Sequence, residues 1–434
     1  MHANLRTSAA EHDYGPPVPM GLPRLAKLAF DGEDLTRISD DLIHRIAATR
    51  DGAAALLDLS TIAMLEQRRE DRLELQSLAL RVEQLYRQAP VSPRSASLRV
   101  LAFLAPGDFL ANLPVEFLLA NSNVQLDTLY VAPAIPFPDS VPWHDVALVA
   151  VAESDENQAV LRAIADVVRN WPVPVVNAPD RIARLTRDGT WNLLKSVPGV
   201  VMPMNTRVDR TCLMKLAACD ESVENLLQGE SFPIIVRPTD SHAGHGLAKI
   251  DDPAALIPYL EEQSADSFYV APFVDYRSAD GQFRKYRIAL IEGRPYACHM
   301  AISDHWMVHY LNAGMTESSS KRAEEARFMA RFDQDFAVRH ADALTTIAEL
   351  VDLEYLPFDC AETQDGQLLI FESGTNMIVH SMDPPDLFPY KKKQMDKVFL
   401  AFETMLRHQA SRMAGNSNGV ELKLATPLNT FSSS

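Results

Sequence analysis

Cysteine is scarce in this chain. Cys212, Cys219, Cys298 and Cys360 are the four in 434 residues, and they show neither CxxC spacing nor the density of a disulfide scaffold. Long apolar runs are missing as well. None approaches the ~20 residues that a membrane helix needs. The opening "MHANLRTSAAEHDYGPPVPMG" has no apolar h-region of a secretory signal. Positive charge is in deficit, with a net charge of −17, which argues against nucleic acid, whose binding rests on cationic contacts to phosphates. The expectations are a reducing cytoplasm, no membrane and no nucleic-acid partner. An acidic chain that handles an anion must gather its positive charge locally.

At roughly 100–200 residues per domain, this length predicts two to four domains. Residues 1–20 are polar and proline-bearing, and composition predicts disorder there. From Leu22 to about Leu85 apolar residues recur at three- and four-residue steps, which predicts two or three helical hairpins serving as a cap or partner for the next domain. "APVSPRSAS" (89–97) reads as a linker. The period then changes. "LRVLAFLAP" (98–106), "VQLDTLYVAP" (124–133), "DVALVAVA" (145–152) and "VPVVNAP" (173–179) read as strands, with a helix over 153–170. Strands alternating with helices imply a parallel α/β unit. "PGDFLANLPVEFLL" follows the first strand, at the edge where open α/β sheets bind ligands. Asp108 and Asn112 either face a substrate or cap a helix. Residues 179–203 read as helix, break, helix and turn, and α+β patterns come after them. Strands are expected at 233–237, 246–250, 268–274, 284–292, 295–302, 354–361 and 367–372, and helices at 253–262, 323–352 and 388–410. The polar end of the chain reads as loose.

Chemistry gathers in the last half. "LEYLPFDCAETQDGQLLIFESGTNM" (353–377) puts Asp359 in one strand and Glu372 at the end of the next, with "TQDGQ" as the hairpin turn between them. Antiparallel pairing brings the two carboxylates together. They either hold Mg²⁺ with help from phosphates and water or face solvent. "GQFRKYRIALIEGRPYACHMAIS" (281–303) is a strand, a tight turn at Glu292–Gly293 and a second strand. Alternation places Lys285 and Arg287 on one face. Further upstream, "FPIIVRPTDSHAGHGLAKI" (232–250) is an apolar strand ending at Arg237, then a small-residue loop and a second strand. That loop is either a phosphate lid or a hairpin.

The order of these segments resembles the ATP-grasp superfamily, in particular its carboxylate–amine ligases with a helical N-terminal extension. The resemblance runs over about 179–410. It implies an α/β and α+β chain in which an ATP-grasp fold follows a parallel α/β domain and an N-terminal helical region. The expected divisions are 1–20 disordered, 21–96 helical, 97–178 α/β, 179–413 ATP-grasp in two subdomains, and 414–434 a flexible tail. It also implies roles. Arg237 in "IIVRP" stands where the family's nucleotide lysine ends its strand. "SHAGHG" (Ser241, His242, Ala243, Gly244, His245, Gly246) corresponds to the phosphate lid. "VAPFV" with the following aspartate (Ala271, Phe273, Val274, Asp275) corresponds to the linker that reads adenine. Arg287 matches the D-x-R arginine and acts in catalysis with Arg237. Asn312 lies in the matching "LNAG". Asp359 and Glu372 match the two magnesium acids.

Three departures stand out. Arginine replaces lysine at 237, and the two are not interchangeable at a phosphate. The earlier nucleotide lysine falls near "TRDG", where Arg187 is the substitute. Gly374 occupies the place of the second metal's asparagine, so Asn376 must reach back. ATP and Mg²⁺, with Mn²⁺ as the alternative ion, are the implied cofactors. A small carboxylate and a small amine are the implied substrates, and a homodimer the implied assembly. His305 and His309 contact the acceptor or pack. The implied reaction is amide formation through an acyl phosphate. Its alternatives are phosphoryl transfer on the same fold and a non-catalytic nucleotide-binding scaffold.

Overall fold

The computed structural model describes residues 15–46, 50–88, 97–239, 241, 244–412 and 422–423. The disorder expected over 1–14 and the linker over 89–96 lie outside these. Residues 15–20 were expected to be loose but are not: Pro16, Pro17 and Pro19 are buried. The Pro17 carbonyl accepts the Arg87 N–H at 2.9 Å, and the Met20 and Gly21 amides donate to the buried Asp58 carboxylate.

Four helices come next, Leu22–Phe30, Thr36–Arg45, Arg50–Leu65 and Arg69–Val82. Their apolar stripes meet in a small core of Leu25, Leu35, Leu42, Ala55, Leu59 and Ile62. The helical reading extends too far at its end. After Val82 the chain straightens, and Leu85–Arg87 joins the next sheet as an antiparallel edge strand. Tyr86 is fully buried there, and Arg87 forks onto Asp127 at 2.7 and 2.9 Å. Those tertiary contacts override a helical period.

The first sheet is otherwise parallel. Leu98–Leu104, Val124–Tyr130, Val146–Val149 and Val175–Val176 lie in the spatial order second, first, third, fourth. Leu98–Leu104 and Val146–Val149 are buried nearly throughout, as expected for a sheet covered on both faces. The helix Gln158–Val168 covers one face.

Two antiparallel sheets carry the rest. One joins Thr206–Asp209, Ile234–Pro238, Ala248–Ile250 and Ser267–Pro272. It has a core of its own, built on Ile234, Val236, Phe268, Val270, Leu213 and Leu256. The other joins Phe283–Ile291, Arg294–Ser303, Tyr355–Glu362 and Leu368–Ser373, with Val200–Val201 added in parallel at its edge. Its core is continuous with that of the parallel sheet. The helix Lys391–Ser411 spans both, with Phe402 edge-on to Tyr355 at 5.0 Å. Asn177, from the end of the parallel unit, clamps Tyr355 through both its backbone groups.

The single helix expected over 323–352 is three: Ser319–Arg331, Phe336–Arg339 and Ala341–Val351. The break lets Phe336 stack on Phe332 at 5.5 Å and reach Tyr286 at 5.1 Å. At the other end of the chain, Leu422–Lys423 pairs with Ser140–Val141, so this part of the expected loose tail is a strand.

Candidate active site

The large cavity, about 520 Å³, lies where the separately cored sheet meets the rest of the molecule. Asp359 and Glu372 sit opposite each other on neighbouring strands, beside a register shift between Asp359 and Cys360. Arg287 is the cross-strand partner of Asp359 on the other side. Its Nε and Nη2 donate to Asp359 at 2.8 and 3.1 Å, and its Nη1 donates to the Ile378 carbonyl at 2.9 Å. Lys285, two residues earlier on the same face, reaches Asp359 at 2.7 Å. Arg284, on the opposite face, turns away to Asp280 and Glu324. Alternation along this strand therefore sorts its cations as expected.

Glu372 takes the other two cations. Arg187, in the first turn of the helix Arg187–Leu194, donates to its carboxylate and to the Phe371 carbonyl. Arg237 approaches Glu372 at 3.7 Å and donates through Nε to Ser241 Oγ at 3.2 Å and through Nη2 to the Ser241 carbonyl. Four cations thus surround two carboxylates, leaving two positive charges over. This is the local gathering that an acidic chain needs in order to hold an anion.

The electrostatics stem from this arrangement. Burial would raise Asp359, but Arg287 and Lys285 outweigh it and hold the carboxyl well below its ordinary range. Burial likewise opposes Arg187 and Arg237 at Glu372, which ends at about 2. Its side chain is 37% exposed, and that exposure is to the cleft. Burial, with Arg187 nearby, draws Arg237 down to about 10. It therefore stays charged at neutral pH, and being only 8% exposed it faces an incoming anion with little water to screen it.

Asp359, Glu372 and the Asn376 amide oxygen are hard oxygen donors. Asn376 Nδ2 donates to the Leu110 carbonyl at 2.8 Å, which turns the amide oxygen back over Gly374. A Cβ built on Gly374 would come within 2.9 Å of that oxygen. Asn376 thus reaches the place left by the absent side chain. This donor set fits a magnesium ion whose shell is completed mainly by phosphate and water. Among the described residues no group of three or more His, Cys, Asp and Glu gathers to hold a metal by itself.

Beyond the charged end, the cavity is apolar, with Ile235, Ala271, Phe273, Val274, Trp306 and Leu369 in its walls. Trp306 meets the Phe273 ring edge-on at 5.8 Å, and Lys249 Nζ lies 5.1 Å from the same ring. The Phe273 N–H is spent on the Pro233 carbonyl at 3.0 Å.

Of the residues singled out from sequence, Arg187, Arg237, Ser241, Gly244, Ala271, Phe273, Val274, Arg287, Asp359, Glu372 and Asn376 line the cavity. His242 and Ala243 lie outside the described residues. Three others do not line it. Gly246 turns at φ +63 against Pro238 and Gln263. Asp275 is exposed and pairs with Arg277 at 2.6 Å. Asn312 is exposed in the turn Tyr310–Asn312. Asp108 and Asn112 also stay out. Asp108 pairs with Arg69 and Arg72, while Asn112 braces both backbone groups of Ala105. The wall formed by Trp306, Met307 and Val308 carried no sequence signal. Gly244 packs toward it, a Cβ there lying 3.6 Å from Met307 Sδ. His309 lines the cavity, and burial with Lys285 and Arg287 nearby holds its imidazole below the ordinary value. His305 does not line it.

No protein-family model matches the chain, and no curated protein matches it. Among solved structures it is similar to the VanG D-Ala:D-Ser ligase from Enterococcus faecalis, at 11% identity and a TM-score of 0.44 over 71% of this chain and 99% of that one. It is similar to the D-alanine–D-alanine ligase from Bacillus anthracis complexed with ATP, at 11% identity and a TM-score of 0.42 over 74% and 100%. A third is D-alanyl-alanine synthetase A from Vibrio cholerae, at 12% identity and a TM-score of 0.43 over 73% and 99%.

Proposed function

We propose that this chain is an ATP-dependent ligase that joins a small carboxylate to a small amine through an acyl phosphate. The observation that supports this most is the set of four cations around Asp359 and Glu372, placed beside an apolar slot between two separately cored bodies. In this reading adenine occupies the slot beside Phe273 and Val274, and its phosphates lie toward Arg187, Arg237, Lys285 and Arg287. Asp359, Glu372 and Asn376 would hold magnesium, which would supply further charge neutralisation of the phosphates.

The acid's carboxylate oxygen attacks the γ-phosphorus, and the bond to the bridging oxygen breaks, giving an acyl phosphate and ADP. Fixed cations stabilise the charge that shifts during this step without having to reorganise. The amine then attacks the acyl carbon, inorganic phosphate leaves and one proton is lost. In this reading His309, whose imidazole burial and its cationic neighbours hold below the ordinary value, takes that proton. The segment around Ser241 and Gly244 closes over the phosphates and excludes water, which protects the acyl phosphate from hydrolysis.

Incubation of the protein with ATP, magnesium and pooled acids and amines tests the reading. ADP and phosphate released only when acid and amine are both present, together with a new amide mass, support it. A stable phosphorylated acceptor makes the protein a phosphotransferase instead. Nucleotide binding without turnover makes it a scaffold.

A further inference from the structure

The two carboxylates of the cleft are held in different ways. Asp359 takes both of its cations from the adjacent strand of its own sheet, Arg287 at 2.8 and 3.1 Å and Lys285 at 2.7 Å. The Ile378 carbonyl braces Arg287 further. Strand register fixes this group, and Asp359 is buried within it. Glu372 takes its cations from outside its sheet. Arg187 comes from the first turn of the helix Arg187–Leu194 and pairs with the carboxylate directly. Arg237 comes from the separately cored sheet, stands at 3.7 Å and is tied to Ser241 in the loop that follows it. Glu372 is also the more exposed of the two carboxylates.

An anion entering the cleft therefore meets Glu372 as a competitor. Its phosphate oxygens need Arg187 and Arg237, and taking them leaves Glu372 unpaired beside a like charge. Stripping a half-buried carboxylate of its cations is costly, and like charges set face to face count against binding. A guest that brings its own divalent cation escapes both costs. The arginines turn to phosphate as Glu372 turns to the cation, and every charged group keeps an opposite partner. Asp359 lacks this freedom, because its cations stand on the neighbouring strand.

We infer that Glu372 makes this cleft select a metal-bound nucleotide over the free one, by holding Arg187 and Arg237 until a cation replaces them. The inference rests on the nucleotide-binding reading proposed above.

Calorimetric titration of the full chain with ATP, once in EDTA and once in excess magnesium, tests it. The natural chain should bind the magnesium form more tightly by about tenfold or more. Glu372→Gln should bind metal-free ATP about tenfold more tightly than the natural chain does, and magnesium ATP no more tightly, so that the preference disappears. Arg187→Met separates competition for the arginine from the mere removal of a negative charge: on that background Glu372→Gln should bring a much smaller gain. Glu372→Asp keeps the charge but draws it back from Arg187, and should show part of the gain. The inference is overturned if Glu372→Gln, or Glu372→Asp should the first variant not fold, binds metal-free ATP no better than the natural chain. It is overturned equally if the gain is as large without Arg187, or if the natural chain binds both forms of ATP alike. Binding of neither form overturns the nucleotide reading itself, and the inference with it.

Discussion

Asp359, at 1% exposure, keeps two cations within hydrogen-bond reach, and Glu372 keeps Arg187 in contact with Arg237 farther off at 3.7 Å. This arrangement has a pH signature. Glu372 sits at about 2 in the fold against an ordinary 4.5. A carboxyl whose folded value is depressed contributes stability that is complete above the ordinary value and is lost as pH falls through the folded one. Glu372→Gln removes this contribution. The difference in melting temperature between the natural chain and Glu372→Gln should therefore be constant above pH 4.5 and shrink toward pH 2. A difference that grows with acidification would contradict the assigned partners. Gly374 gives a second residue-scale prediction. In Gly374→Ala the new methyl displaces the Asn376 amide oxygen, 2.9 Å away. Nucleotide turnover should fall about 10- to 100-fold, as for loss of a supporting contact at a metal site. Melting should change little, since Gly374 is not at a positive φ.

At the scale of elements, the lid segment shows what a sequence can and cannot convey. Two glycines after a cation-ended strand are compatible with an ordinary hairpin. Arg237 settles its own part by binding Ser241 within the same loop, so the cation anchors the segment it introduces. Gly244 points toward Met307, whereas Gly246 serves the turn, where a Cβ would lie 2.7 Å from Pro238 Cδ. Gly246→Ala should cost about 1–3 kcal/mol through strain at positive φ, measurable by urea denaturation. It should also weaken nucleotide binding by moving the loop. The period-2 pattern revealed the strands that carry Lys285, Arg287, Asp359 and Glu372, because alternation and facing are local properties. The Leu85–Arg87 and Val200–Val201 strands were hidden, because each is defined by the distant partner it pairs with. The break near Phe332 was hidden for the same reason: helical propensity continues through it, and the aromatic cluster with Tyr286 decides otherwise.

At the scale of the molecule, the sheet bearing Arg237 has its own core, while the sheet bearing Asp359 shares one with the parallel unit. Two cores with a charged cleft between them permit one body to move against the other without disrupting either. The loop after the first parallel strand reaches the cleft between them: Leu110 lines it, and its carbonyl holds Asn376. The architecture and charged centre were legible because they rest on ordered motifs. Among the described residues no helix is long and apolar enough to cross a membrane.

Activation of a carboxylate on ATP, before an amine captures it, is the step on which the proposed function stands. The direct measurement uses carboxylates labelled with heavy oxygen in both positions, with ATP, magnesium and amines, and mass analysis of the released phosphate. One labelled oxygen should pass to phosphate for every amide formed, and none with Glu372→Gln. Unlabelled phosphate accompanying amide formation would contradict it.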